Sequence, residues 1–172
     1  MSKKRWEVLS KLLKTQDLKM YSVAEIGVFE GKTCQYLLKH HKFSEYILVD
    51  PYVVYSEYID LRSDNLKLYN AYQKVEELVN KNDFLKLYKM YSNEAVNYIP
   101  DESLDMVFID ANHDYEYVKN DIKLWKNKVK QGGIIAGHDY NYPGILGVKE
   151  AVDEIFGDRV TIASDYVWYV KN

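Results

Sequence analysis

Four side chains in the second half of the chain are of the types that proton transfer and cation binding require: Asp110 and His113, three residues apart, and the adjacent pair His138 and Asp139. An imidazole exchanges a proton near neutrality, which makes His113 a candidate general base. Two carboxylates and an imidazole, Asp110, His138 and Asp139, also form a donor set for a divalent cation. Oxygen ligands favour Mg2+, whereas the histidine favours Mn2+ or another transition metal. Such an ion would grip adjacent oxygens of a diol or catechol and make a hydroxyl easier to deprotonate. Each residue also has a plainer use: His113 and Asp114 can cap a helix starting at Tyr115, and His138 can simply pack.

A second group lies near the start. Val23-Ala24-Glu25-Ile26-Gly27-Val28-Phe29-Glu30-Gly31 reads as a strand that breaks at glycine and restarts as a helix at Lys32. Gly27 and Gly31 allow unusual backbone angles and close approach of a ligand, and the helix that follows presents unpaired amides. Asp50 closes the next apolar strand, Tyr46-Ile47-Leu48-Val49, where a carboxylate can accept from two ribose hydroxyls. The spacing Glu25-x-Gly27-x-x-x-Gly31 differs from the Gly-x-Gly-x-x-Gly of dinucleotide loops, and Glu25 would repel a phosphate. Glu25 suits an ammonium group instead. A nucleoside joined to an amino acid satisfies both ends, and S-adenosylmethionine has that form.

The elements that must position these residues alternate. Trp6, Leu9, Leu12 and Leu13 recur at helical spacing, which predicts a helix over about 3–15. Strands are expected at 22–27, 45–50, 84–90, 104–110 and 133–137. Helices are expected at 32–41, 64–81, 116–128 and 146–156. A closing hairpin spans 159–163 and 166–171, turning at Ser164-Asp165. Alternation of this kind implies an α/β protein with a mainly parallel sheet covered on both faces. Ser92 or Asn93 can cap a short helix containing Ala95 and Val96. Tyr52, Tyr55 and Tyr58 fall in a segment without clear periodicity, a candidate substrate lid within 51–82. Asn141-Tyr142-Pro143-Gly144 has turn chemistry and is expected to form the facing wall.

Four blocks in this order resemble class I S-adenosylmethionine-dependent methyltransferases, most nearly their bacterial small-molecule O-methyltransferase branches. They are Glu25-Ile26-Gly27-Val28-Phe29-Glu30-Gly31, Leu48-Val49-Asp50-Pro51, the Leu104–His113 run ending Ile109-Asp110-Ala111-Asn112-His113, and Gln131–Asp139 ending Gly137-His138-Asp139. The resemblance implies a three-layer Rossmann-like fold with a seven-stranded sheet of order 3-2-1-4-5-7-6, its last strand reversed. It makes strands four and five neighbours, so that Asp110, His113, His138 and Asp139 should converge. It also implies that Glu25, Gly27, Gly31, Asp50, Ser92 and Asp110 bind cofactor, with Ser92 beside the adenine. In metal-dependent members Asp110 and Asp139 fall on ligand positions and His113 on the base. His138 departs from the aspartate or glutamate found there, which puts the metal in doubt. The expected reaction is methyl transfer to a hydroxyl of a small molecule such as a sugar, natural product or catechol. Two alternatives stay open: transfer to nitrogen without metal, and a non-catalytic cofactor-binding module.

Composition bounds this reading. A chain of 172 residues, 47% hydrophobic, is expected to form one domain over 1–172. A net charge of −3 without a dense basic run argues against a nucleic-acid track. No apolar stretch reaches the ~20 residues of a membrane span, and Met1-Ser2-Lys3-Lys4-Arg5 leads into an amphipathic segment, so a cytoplasmic protein is expected. Cys34 is the only cysteine and is expected to pack as a small apolar side chain. Two arrangements of the N-terminal helix stay open: a homodimer closing over its own site, and packing of Trp6 and its neighbours within one chain.

Overall fold

A computed structural model describes residues 3–54 and 64–172. The apolar stripe of the leading segment winds into α1 (Arg5–Lys14), which buries Val8, Leu9, Leu12 and Leu13. The wholly buried run before the glycines becomes β1 (Tyr21–Ile26), followed by α2 (Lys32–His40) and β2 (Phe43–Val49). Beyond α3 (Asn65–Asn80), whose N-cap Asp64 accepts from the Lys67 amide, come β3 (Leu85–Tyr88), a single turn α4 (Ser92–Ala95) and β4 (Leu104–Ile109). The chain finishes with α5 (Tyr115–Trp125), β5 (Val129–Gly137), α6 (Gly147–Phe156), β6 (Thr161–Ile162) and β7 (Trp168–Lys171).

The seven strands form one sheet in the order β3-β2-β1-β4-β5-β7-β6. All pairs are parallel except those made by β7, which runs antiparallel to β5 and β6. The order and the reversed strand are those expected. Two apolar layers sandwich the sheet. On one face α1, α2 and α3 pack Leu9, Leu13, Leu37 and Val75 against Leu48 and Phe108. On the other, α5 and α6 pack Ile122, Trp125, Val148 and Val152 against Val107 and Ile135. Cys34 is fully buried in the first layer, as expected, and burial pushes its thiol pKa up. Among the described residues no helix is long and apolar enough to cross a membrane.

Several boundaries differ from the sequence reading, that of the fifth strand most. The fifth strand starts at Val129 rather than Gly133, because Gly132 at φ +78° and a register shift against β4 carry the ladder through an irregular stretch. The sixth strand is only Thr161–Ile162, both exposed at the sheet edge. Within the candidate lid, 65–80 is α3 and Tyr52 is buried, donating its hydroxyl to the Phe29 carbonyl at 3.0 Å. Tyr55 and Tyr58 lie outside the described residues.

Candidate active site

Strand register aligns the carboxyl ends of the central strands. Ile26 pairs with Val49 on one side and Ile109 on the other, and Ile109 pairs with Gly137. The next residue of each strand therefore falls in one row at the sheet edge: Asp50, Gly27, Asp110 and His138. Strand order reverses between β1 and β4, the place where open parallel sheets bind ligands. A cavity of about 680 Å³ opens there, within the usual size of a small-molecule site. Glu25, Gly27, Asp50, Ser92, Asp110 and His113 line it, whereas Gly31, His138 and Asp139 do not.

The glycine loop is held from beneath. Gly27 has φ +86°, and a Cβ there would lie 2.2 Å from the Asp110 carbonyl oxygen, so only glycine lets β1 and β4 part at this point. Gly31, also left-handed at φ +70°, is the N-cap of α2. Asp50 Oδ2 accepts from the amides of Val28 and Phe29 at 3.0 and 2.9 Å, and its Oδ1 accepts from the Tyr52 amide at 2.8 Å. Burial raises the Asp50 pKa, opposed by these three amides. Asp50 thus shapes the loop that the cavity uses, with most of its lone pairs already engaged.

Glu25 is buried and receives the Tyr46 hydroxyl at 2.9 Å. Burial pushes its carboxyl up to about 8, and the nearby Asp110 adds to the effect, while the Tyr46 bond and Arg5 oppose it. An acid in that state gains from a cationic ligand in the cavity it lines. Ser92 donates to Asp121 at 2.5 Å and accepts from the Trp125 indole at 2.8 Å. Its side chain is therefore spent inside the protein. Asp121 also lines the cavity, and burial lifts it to about 6.

At the other end the expected convergence is present. His113 Nε2 lies 2.9 Å from Asp139 Oδ2, and His138 Nδ1 lies 3.0 Å from Asp139 Oδ1. Burial works against charge on Asp139, but hydrogen bonds from both imidazoles outweigh it and hold its pKa below the usual carboxylate range. Burial likewise opposes protonation of His138, yet Asp139 and Asp110 lift its pKa. Asp110 is raised by burial, against the pull of Arg5 and His138. Asp139 adopts φ +59°, a left-handed turn that brings its carboxylate back beneath His113. Asp114 is the N-cap of the helix at Tyr115 through its backbone, without a side-chain cap bond, and the Asn112 side chain accepts from the Asp114 amide at 2.9 Å.

One ligand atom from each of Asp110, His113 and Asp139 falls within a mutual distance of 4.8 Å. This set contains His113 in place of the expected His138. Arg5 Nη1 lies 3.3 Å from both Asp110 Oδ2 and His138 Nδ1, and His138 Nδ1 itself lies 3.7 Å from Asp110 Oδ1. The wall expected from Asn141-Tyr142-Pro143-Gly144 is absent from the cavity lining. Tyr142 turns away to pack on the Tyr166 ring at 5.0 Å, and the wall is supplied by α4 and α5.

Sequence reasoning missed Arg5 and Asp121. For Asp121 a signal existed, since it interrupts the apolar stripe Val118, Ile122 and Trp125 on α5. Arg5 carried no signal, being the third of three consecutive basic residues at the start of a helix.

Comparison with known proteins places this geometry. The family described as a methyltransferase domain matches residues 24–140, more than half of the chain. An uncharacterized protein of Acanthamoeba polyphaga mimivirus is 28% identical over 158 residues, covering 89% of this chain and 67% of that protein. Solved structures share the fold at lower identity. A putative caffeoyl-CoA O-methyltransferase from Staphylococcus aureus superposes with a TM-score of 0.71 at 13% identity, covering 97% of this chain and 82% of the other. An O-methyltransferase from Bacillus cereus, in complex with S-adenosylhomocysteine, gives 0.66 at 17% identity over 98% and 80%.

Proposed function

This chain belongs to the methyltransferase-domain family, and we propose that it transfers the methyl of S-adenosylmethionine to a hydroxyl of a small molecule, with His113 as the base. The observation that carries the reading is the His113–Asp139 pair behind a cavity whose other end holds the buried Glu25 carboxyl beside a tight glycine loop. The cavity residues suit the cofactor: an acid that favours a cation, a loop that admits close backbone approach, and a carboxylate that fixes that loop. S-adenosylmethionine, when bound, supplies an electrophilic methyl and a neutral leaving group, so the protein's work is alignment, exclusion of water and removal of a proton. Glu25 holds the ammonium. Gly27 and the Val28 and Phe29 backbone, braced by Asp50, set the ligand's depth.

His113 holds its Nε2 proton on Asp139 and takes the proton that leaves the acceptor hydroxyl. Asp139 orients the ring and stabilises the imidazolium. A second reading is favoured by the donor set of Asp110, His113 and Asp139, which fits a divalent ion such as Mg2+ or Mn2+ by ligand type. There His113 would be a ligand rather than a base, and the ion would supply Lewis acidity to the acceptor oxygen.

The test is calorimetric titration with S-adenosylhomocysteine alongside turnover on a panel of sugars, catechols and amines. His113→Ala is expected to bind the product normally and to lose about a hundredfold or more in methyl transfer. Undiminished turnover removes the base, selective activity on amines moves the acceptor to nitrogen, and binding without any turnover leaves a cofactor-binding module.

A further inference from the structure

We infer that Arg5 is the site's own cation, a positioning residue whose guanidinium takes the place against Asp110 that a divalent ion would need. The consequence for catalysis rests on the methyl-transfer reading, but the contact itself does not. Arg5 Nη1 stands 3.3 Å from Asp110 Oδ2 and 3.3 Å from His138 Nδ1, and the residue lines the cavity together with His113. The other described residues of this basic run, Lys3 and Lys4, are exposed, whereas the Arg5 side chain is only 25% exposed. Its Nε is buried with no hydrogen-bond partner among the described residues. An arginine free to lie in solvent would avoid that cost, so the attraction of the acids offsets it.

The helix carrying Arg5 is pinned for this purpose. The Arg5 amide donates to Asp165 Oδ2 at 2.7 Å, in the turn between β6 and β7, and the underside of α1 is locked by Val8, Leu9 and Leu13. A metal ion bonded to Asp110 would have to share the carboxylate with a guanidinium already held against it. Arg5 therefore holds Asp110 in place and balances its charge, which favours His113 as the base over the metal-bound second reading.

Mn2+ is the probe, with binding read by electron paramagnetic resonance and calorimetry on the purified chain. Wild type should bind Mn2+ weakly at most, and Arg5→Ala should bind it on the order of a hundredfold more tightly. Arg5→Lys, which keeps the charge, should remain weak, and Asp110→Asn added to Arg5→Ala should abolish the gain. Equal binding by wild type and Arg5→Ala overturns the inference. So do no binding by either, a gain in Arg5→Lys equal to that in Arg5→Ala, and a gain that survives Asp110→Asn. The apolar underside of α1 keeps the helix docked in each variant, which thermal melts on the same samples verify. S-adenosylhomocysteine binding by wild type, measured in parallel, reports separately on the methyl-transfer reading: its failure sinks that reading and leaves the Mn2+ comparison intact.

Discussion

Glu25 joins protonation to ligand binding at the level of a single residue. Burial raises its carboxyl from the usual range to about 8, so at neutral pH it is mostly protonated before a cation binds beside it. An ammonium held beside it favours the ionised form and expels that proton. S-adenosylhomocysteine binding at pH 7 should thus release close to one proton, seen as an apparent enthalpy that varies with the ionisation enthalpy of the buffer. Glu25→Gln should bind more weakly and show no buffer dependence; equal proton release by both would remove Glu25 from the ammonium site. The sign for stability follows from the same shift. Between the unfolded value near 4.5 and the folded value of about 8 the native state holds more protons, so Glu25 lowers stability as pH rises through that window. Glu25→Gln should accordingly raise the melting temperature more at pH 8.5 than at pH 5. Glu25, Asp110, His113 and Asp139 were legible in the sequence because unusual polar types stood at the ends of apolar strands. Arg5 was not, since its role depends on where a helix some hundred residues away in sequence lies across the sheet.

Among the elements, the function rests on strand ends that finish level with one another. The alternation of strand and helix predicted the elements, and their ends mostly fell within a few residues of the structure. Their level finish in one row depends on inter-strand register, which no local pattern encodes. Gly27 shows how tight the arrangement is. An alanine Cβ would meet the Asp110 carbonyl oxygen at 2.2 Å, and φ +86° adds backbone strain, so Gly27→Ala has to push β1 and β4 apart. The expected result is destabilisation of about 2 kcal/mol or more in denaturant unfolding, together with loss of S-adenosylhomocysteine binding. Gly144→Ala is the control, because nothing lies within 4 Å of its added Cβ and it sits away from the cavity, although its φ of +84° costs some strain. The sequence reading went astray at the Asn141–Gly144 loop for an elementary reason. Turn chemistry locates a loop along the chain but not the side of the sheet edge to which it folds, and here the Tyr142 and Tyr166 rings draw it away.

Across the whole molecule, the two ends of the sheet do different work. At the amino end of β4, the buried Asp105 accepts from the Ser22 amide at 2.7 Å and pairs with Lys130 at 2.7 Å, a strut that ties β1, β4 and β5 together far from the cavity. Around the carboxyl end polar groups have unmet demands: Asn112 Nδ2, His138 Nε2 and, from α1, Arg5 Nε are buried without hydrogen-bond partners among the described residues. Stability is thereby concentrated at one end and ligand-ready strain at the other, as expected of a site built on a rigid scaffold. Hydrogen exchange should show this division. Addition of S-adenosylhomocysteine should slow amide exchange in 27–33, 50–54, 91–95 and 110–121, the segments that border the cavity, and leave the already slow amides around Ser22, Asp105 and Ile134 unchanged. Uniform slowing across both ends would mean that the ligand stabilises the chain only by mass action on global unfolding. Protection confined to the cavity segments would mean that binding orders the carboxyl edge alone, the behaviour required of a sheet whose amino end is already braced by the Asp105–Lys130 pair.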